Sequence, residues 1–401
     1  MTGLVALACA YLLSVFYRTF LAVLTPQLTS ELGADNADLS MAAGLWFTTF
    51  GLMQFAVGVG LDRYGPRRTA GILFGVTASA GAFIFATAQS PTAIVIAMGL
   101  IGIGCAPVLM ASLFIFAQRF DARQFAVMTS WLVAFGNLGN VVGTSPMAWA
   151  VETFGWREVM AGFGVASLAI GMALLIWVED PKVDKPDGAG LSGYFKLLKM
   201  PVLWPIMIMT LLCYAPAVGI RGLWAGPYLA DLFTADSLLI GKVTLWMAIA
   251  MVAGGFLYGP LDKMLNTRKW VVVIGNSVVL AALVFLVIQP TPELSMVTLL
   301  FIAIGVAGTS YGVLMAHARA FLPTDLLGRG VTLINFCSIF GAGLLQFLTG
   351  RLVSTQPDTA APATYQILFA TYAVFLSVAL LIYVFAKDAP PNKPANKHLH
   401  T

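Results

Sequence analysis

Charge is what this sequence has least of. Only 10% of its 401 residues are Asp, Glu, Lys or Arg, while 59% are hydrophobic. Globular domains carry roughly 25% charged residues, so one or two soluble cores could not hide this much apolar surface. A soluble fold is excluded, and the net charge of +4 matters less than where the charges lie. Nothing in that distribution resembles the basic stripe a nucleic acid would need, so none is expected as a partner. Cysteine is scarce as well: Cys9, Cys105, Cys213 and Cys337 all fall inside apolar runs and never form a close pair. That spacing implies small buried side chains rather than a disulfide or metal framework. A basic leader with a small-residue cleavage site is also missing, so the apolar start at Leu4 is expected to be a retained first helix. With no nucleophile-base constellation or metal-ligand cluster at membrane depth, neither an enzyme nor a cofactor or metal is expected.

What the chain does have is apolar runs long enough to cross a bilayer as helices. Tolerating Gly and Pro, as bundles do, there are twelve: 3–28, 39–61, 68–88, 92–117, 124–150, 157–178, 203–230, 239–260, 270–289, 295–317, 329–352 and 363–386. Loop charge alternates sharply between them. Seventeen of the 22 basic residues, from Arg63, Arg67 and Arg68 to Lys393 and Lys397, lie on the side that holds both termini. The other side has only Arg157, Lys242 and Arg351. This asymmetry predicts cytoplasmic termini in a multi-pass protein of the lipid bilayer, expected in a bacterial inner membrane.

One hydrophilic segment, 179–200, is broken by Asp180-Pro181, Lys185-Pro186 and Asp187-Gly188. It separates an N-terminal six-helix half (1–178) from a C-terminal half (201–388), with a polar tail at 389–401. Within it, Leu191 to Lys199 fits either a short amphipathic surface helix or a solvated linker. An internal repeat supports the division: Trp46 and Trp246, Asp62 and Asp262, and Arg119 and Arg319 are each 200 residues apart, and Asp262 is followed by Lys263 as Asp62 is by Arg63. Parallel repeats about an axis along the membrane normal are a known transporter architecture.

The run Gly58-Val59-Gly60-Leu61-Asp62-Arg63-Tyr64-Gly65-Pro66-Arg67-Arg68 resembles the G-x-x-x-D-R-x-G-x-R-R loop of the major facilitator superfamily. With twelve spans and a central linker, the resemblance covers the whole chain. It implies an all-α membrane protein whose twelve transmembrane helices form two six-helix pseudo-symmetric halves, working by alternating access. It further implies a conformational gate at Asp62 with Arg63, Arg67 and Arg68, repeated in degenerate form at Asp262 and Lys263. Two features depart from the proton-coupled drug exporters: Met98 stands where they carry an arginine, and the run from Gly136 to Pro146 lacks their G-P-x-x-G-G. Tyr17-Arg18 with Pro26 looks instead like the first helix of the superfamily's organic-anion and organophosphate branch, whose phosphate exchangers pair it with a seventh-helix arginine. Arg221 stands in a suitable place.

Arg18 and Arg221 are the two cations that belong to no loop. A charge at such depth costs about 2.5–3.5 kcal/mol on insertion scales and faces the bundle interior. All 18 acidic residues fall in loops or at helix ends, so the arginines have no interior carboxylate to pair with. Guanidinium is always charged and offers a planar fork to carboxylate or phosphate, which makes a small anionic substrate the natural counter-ion. Tyr17, Trp46, Asn137, Asn140, Trp224, Trp246, Tyr311 and Asn335 are the candidate polar and aromatic lining of that substrate site. Asn137 and Asn140, three apart, share a helix face. His317, beside Arg319 at a helix end, fits a structural or gating role.

The expected function is secondary active transport of a small organic anion, carboxylate ahead of organophosphate, by exchange or symport in a monomer. The alternatives are efflux of amphipathic compounds, opposed by the missing intramembrane acid, and a non-transporting sensor that keeps a carrier fold.

Overall fold

The structure, a computed structural model, describes residues 2–120, 122–180, 192–323 and 326–390. Some side chains within these ranges, including those of Asp62, Arg123 and Lys263, lie outside the description. The elements in chain order are α1 (Thr2–Phe16), α2 (Leu21–Leu32), α3 (Asn36–Leu61), α4 (Arg63–Ala86), α5 (Pro91–Phe116), α6 (Ala122–Val142), α7 (Ser145–Phe154) and α8 (Trp156–Trp177). Then come α9 (Ser192–Leu198), α10 (Pro201–Phe233), α11 (Ser237–Asp262), α12 (Lys269–Ile288), α13 (Leu294–Arg319), α14 (Arg329–Ser354) and α15 (Pro362–Tyr383). Among the described residues, ten helices are long and apolar enough to span a membrane, and the bent pair α1 and α2 makes an eleventh. The stretch expected as a span at 124–150 corresponds to α6 with α7, in which Trp131–Val142 is apolar. The count agrees with twelve spans.

The first span differs from the single helix expected over 3–28. It breaks after Phe16, resumes at Leu21 and bends by 53°. Locally the chain tightens into three-residue turns, Arg18 N–H to Val15 C=O and Thr19 N–H to Phe16 C=O, and the Thr19 hydroxyl also donates to the Phe16 carbonyl. Side-chain competition of this kind loosens a helix. Pro26 adds a second weakness, because its missing N–H leaves the Ala22 carbonyl without its helical donor. Gly226 lies against that carbonyl, and a Cβ there would collide with it. The seventh span, α10, is irregular at the matching place: Ile220–Trp224 is a π-helical turn, and Gly222 lies against the Arg18 carbonyl. Both deep arginines therefore sit where a spanning helix departs from regular geometry.

The chain packs into two compact units: Met1–Asp187 with Gly219–Leu245 and Gly343–Ala361, and Gly188–Val218 with Trp246–Ala342 and Pro362–Thr401. The division falls inside α10, α11 and α14. In the first unit, α1 packs on α6 and α8, α3 and α4 on α5, and α2 on the later part of α10. Gly136, Gly139 and Gly143 bring α6 against Tyr11, Leu12 and Thr19, the close approach that small residues allow between membrane helices. An aromatic core of Phe16, Phe20, Phe85, Trp156 and Phe163 fills the far side of the α1 and α2 break. In the second unit, α15 buries Tyr365, Phe369, Tyr372, Leu376 and Tyr383 and packs on α12 and the early part of α10. Segment 191–199 is helical over Ser192–Leu198; Leu197 is buried and Phe195 exposed, which favours the surface helix over the solvated linker.

Candidate functional site

Seven of the ten predicted substrate-site residues belong to the first unit: Tyr17, Arg18, Trp46, Asn137, Asn140, Arg221 and Trp224. They do not form one set. Arg18 is half-buried, and its guanidinium carbon lies 5.5 Å from the ring centroids of both Trp46 and Phe50. Those two rings stack at 5.0 Å, being four residues apart on one face of α3. Among the described residues Arg18 makes no hydrogen bond or ion pair; its Nε is buried without a partner, and so is the indole Nε1 of Trp46. Contact with an aromatic face returns about 0.5–2 kcal/mol of the cost of a desolvated cation. Its Nε–H still lacks an acceptor among the described residues.

Arg221 differs from it at the terminal nitrogens. It is 1% exposed, its Nη2 donates to the Asn140 side-chain oxygen at 2.8 Å, and its Nη1 donates to the Asn140 carbonyl at 3.5 Å. The Asn140 amide donates in turn to Asn137 Oδ1 at 3.3 Å, so Asn137 steadies the Asn140 side chain that meets the π-helical turn of α10. Trp224 is fully buried and donates to the Thr349 hydroxyl at 3.1 Å. Tyr17 turns toward α8, where its hydroxyl donates to the Phe163 carbonyl and lies 2.9 Å from the Ser167 hydroxyl. These two aromatics are satisfied within the protein. The remaining three residues belong to the second unit: the Tyr311 hydroxyl donates to Asn335 Oδ1 at 2.9 Å, and Trp246 is 53% exposed. Phe50 was missed by reasoning from polar residues, although its i, i+4 spacing from Trp46 was legible.

The expected gate differs in detail. The side chains of Asp62 and Lys263 lie outside the described residues, and Arg63, Arg67 and Arg68 are exposed. The carboxylate that meets this loop is Asp180: it accepts from the Arg67 N–H at 2.8 Å at the start of α4 and occupies the space beside Gly65, whose φ of +82° favours glycine. Its neighbour Glu179 pairs with Arg119 at 2.6 Å, joining the ends of α5 and α8. The second unit repeats the device. Asp388, after α15, accepts from the Thr267 hydroxyl and the N–H groups of Arg268 and Lys269 at the start of α12. Burial is the largest single influence on the Asp388 carboxyl and raises it. The Thr267 hydroxyl and the N–H groups of Lys269, Ala389 and Arg268 together outweigh burial and hold it below the usual carboxylate range. Asp262 pairs with Arg268 at 3.4 Å. His317 is fully buried, its Nε2 2.8 Å from the Lys387 carbonyl and its Nδ1 2.6 Å from the Tyr383 hydroxyl. A neutral ring that donates from Nε2 satisfies both contacts, which makes this histidine part of the α13 to α15 packing.

These features converge with likeness to known proteins. The model of the Major Facilitator Superfamily matches residues 7–225 and 218–400, and the chain belongs to that family. It is a multi-pass membrane transporter and not an enzyme. The probable L-galactonate transporter of Escherichia coli (strain K12) is 23% identical over 430 residues, covering 98% of this chain and 90% of that protein. The membrane sensor protein UhpC of Salmonella typhimurium is 24% identical over 66% of this chain and 65% of its own. The fold of a solved D-xylose-proton symporter superposes with a TM-score of 0.76 at 14% identity, covering 99% of this chain and 98% of that one.

Proposed function

We propose that this chain is a secondary active carrier of a small organic anion, a sugar acid or similar carboxylate ahead of an organophosphate, and that Arg18 is its principal substrate contact. The observation that carries this reading is the state of Arg18: a half-buried guanidinium at a broken span, set against a stacked aromatic pair on one side, with no hydrogen bond or ion pair among the described residues. A carboxylate offers that fork two acceptor oxygens at once. A hydroxylated acid also brings an acceptor for the indole N–H of Trp46. Arg221, already engaged with Asn140, adds positive potential and holds α6 against α10. Likeness to an L-galactonate transporter supports a sugar acid over a phosphate ester.

In the mechanism, the empty site leaves an uncompensated cation inside the bundle, which makes an occluded state costly. A bound anion supplies the counter-charge, and only the loaded site then passes readily between the two sides. Exchange of one anion for another meets this condition, as does symport in which a cation travels with the substrate.

The test is thermal stabilisation of purified full-length protein by a panel of sugar acids, phosphate esters and hydrophobic cations, followed by uptake into proteoliposomes. The carboxylates should stabilise, by about 2.7 kcal/mol at a hundredfold excess over the dissociation constant. Arg18→Lys keeps the charge but loses the fork, and should abolish both stabilisation and uptake. Stabilisation by hydrophobic cations alone would overturn the proposal in favour of efflux. Carboxylate binding without uptake in either direction would identify a sensor, the activity named for the Salmonella relative.

A further inference from the structure

Between α3 and α4, close to their connection, lies a groove of about 390 Å³ lined by Met53, Ala56, Gly60, Thr69, Ile72 and Leu73, with Tyr64 and Arg68 nearest the connection. Three observations define what fits it. First, the groove is open along two helices long and apolar enough to span a membrane, with Ile72 50% and Tyr64 55% exposed, so its apolar walls are not covered by the first unit. A concave apolar channel in that position is filled by a flexible chain. Second, its mouth is cationic. Arg63, Arg67 and Arg68 are exposed, and their side chains make no ion pair among the described residues; three arginines stand against Asp62 in the loop and Asp180, which accepts from the Arg67 N–H, a balance of +1. Third, Thr69 is only 8% exposed, lines the groove, and its hydroxyl has no hydrogen-bond partner among the described residues. A buried hydroxyl without a partner costs about 1–3 kcal/mol, so an acceptor at that depth is favoured.

We propose that this groove is a site for an anionic diacyl phospholipid. One acyl chain lies along Met53, Ala56, Ile72 and Leu73. An ester oxygen near the headgroup accepts from Thr69, and the phosphate meets Arg68 and the flanking arginines. A zwitterionic lipid would bring its choline toward a loop of net positive charge, and a free phosphate would leave the apolar channel empty. Basic clusters at the membrane surface gain about 1 kcal/mol per Lys or Arg from anionic lipid.

The test uses delipidated full-length protein in mild detergent, with bound lipid counted by native mass spectrometry as dioleoyl phosphatidylglycerol is titrated. The expected result is one retained molecule, held about tenfold more tightly than dioleoyl phosphatidylcholine, and no retained glycerol phosphate. Arg68→Ala should weaken binding about fivefold. Ala56→Phe, which fills the channel and keeps every charge, should weaken it at least as much; Ile72→Trp serves the same purpose if the first variant melts early. Lys242→Ala, an exposed cation outside the groove, should bind as the parent does. Equal retention of the two lipids would show ordinary annular contact and overturn the proposal. So would unchanged phosphatidylglycerol binding in both Arg68→Ala and the channel-filling variant.

Discussion

Arg18 and Arg221 are the same residue type, each in the middle of an apolar run, and each sits at an irregular turn of a spanning helix. Their surroundings differ. Arg221 is sealed in, with its guanidinium on the side chain and carbonyl of Asn140. Arg18 has a stacked ring pair on one side and makes no hydrogen bond among the described residues. The difference teaches that an intramembrane arginine is not by itself a ligand-binding residue. One already has its acceptor in the protein, and the other requires it from outside.

The sharpest way to break the comparison is to replace each arginine by methionine and measure reversible unfolding beside anion uptake. Arg18→Met removes a cation without a hydrogen bond, and should raise stability by about 1–4 kcal/mol while uptake is lost. Arg221→Met should do the reverse to stability, lowering it by about 1–3 kcal/mol, because the buried Asn140 acceptors lose their donor. Equal signs for the two would show that the arginines are equivalent. Approached from the partner, Asn140→Leu should cost about 1.5–3 kcal/mol, the range for a hydrogen bond to a charged group, and leave the stability gain from Arg18→Met additive.

A second comparison concerns the carboxylates after α8 and α15. Asp180 accepts the Arg67 N–H of α4, and Asp388 the N–H groups of Arg268 and Lys269 at the start of α12, one carboxylate in each unit. Asp388 has the greater number of donors, so Asp388→Asn should cost about 1 kcal/mol. Its folded-state carboxyl is held below its unfolded value, which lies near about 3.9. The stabilisation it provides is therefore complete above about pH 4 and is lost as the pH falls through the lower folded value. Acid unfolding curves of Asp388→Asn and the parent protein should converge in that range. The smallest effect belongs to Tyr17→Phe, which removes the contacts to Phe163 and Ser167. It should cost about 0.5–1.5 kcal/mol and leave the affinity for anions unchanged. A large change in affinity would return Tyr17 to the substrate site.

Most of the fold was legible because hydropathy is a local property: a window of about 20 residues reports whether a helix is at home in hydrocarbon, with no knowledge of its neighbours. Loop charge and the D-R-x-G-x-R-R run were equally local, and the family match rests on the same linear pattern. The break in the first span was harder to see. The tight turns at residues 17–20 depend on Thr19 competing for the Phe16 carbonyl, while Pro26 is six residues beyond the break. Asp180 read as a helix breaker, and its role at α4 could not be read because its partner is Arg67, 113 residues away.

The sequence by itself determined that this is a helical membrane protein, that two cations lie at depth, and that no acid lies there with them. Tertiary structure alone decided which of the two has acceptors for its terminal nitrogens within the protein. Asn140 stands 81 residues from Arg221, and Trp46 and Phe50 stand 28 and 32 residues from Arg18. Hydrogen bonds and ring contacts act over a few ångströms in space. No spacing along the chain records which side chain the fold brings within that range.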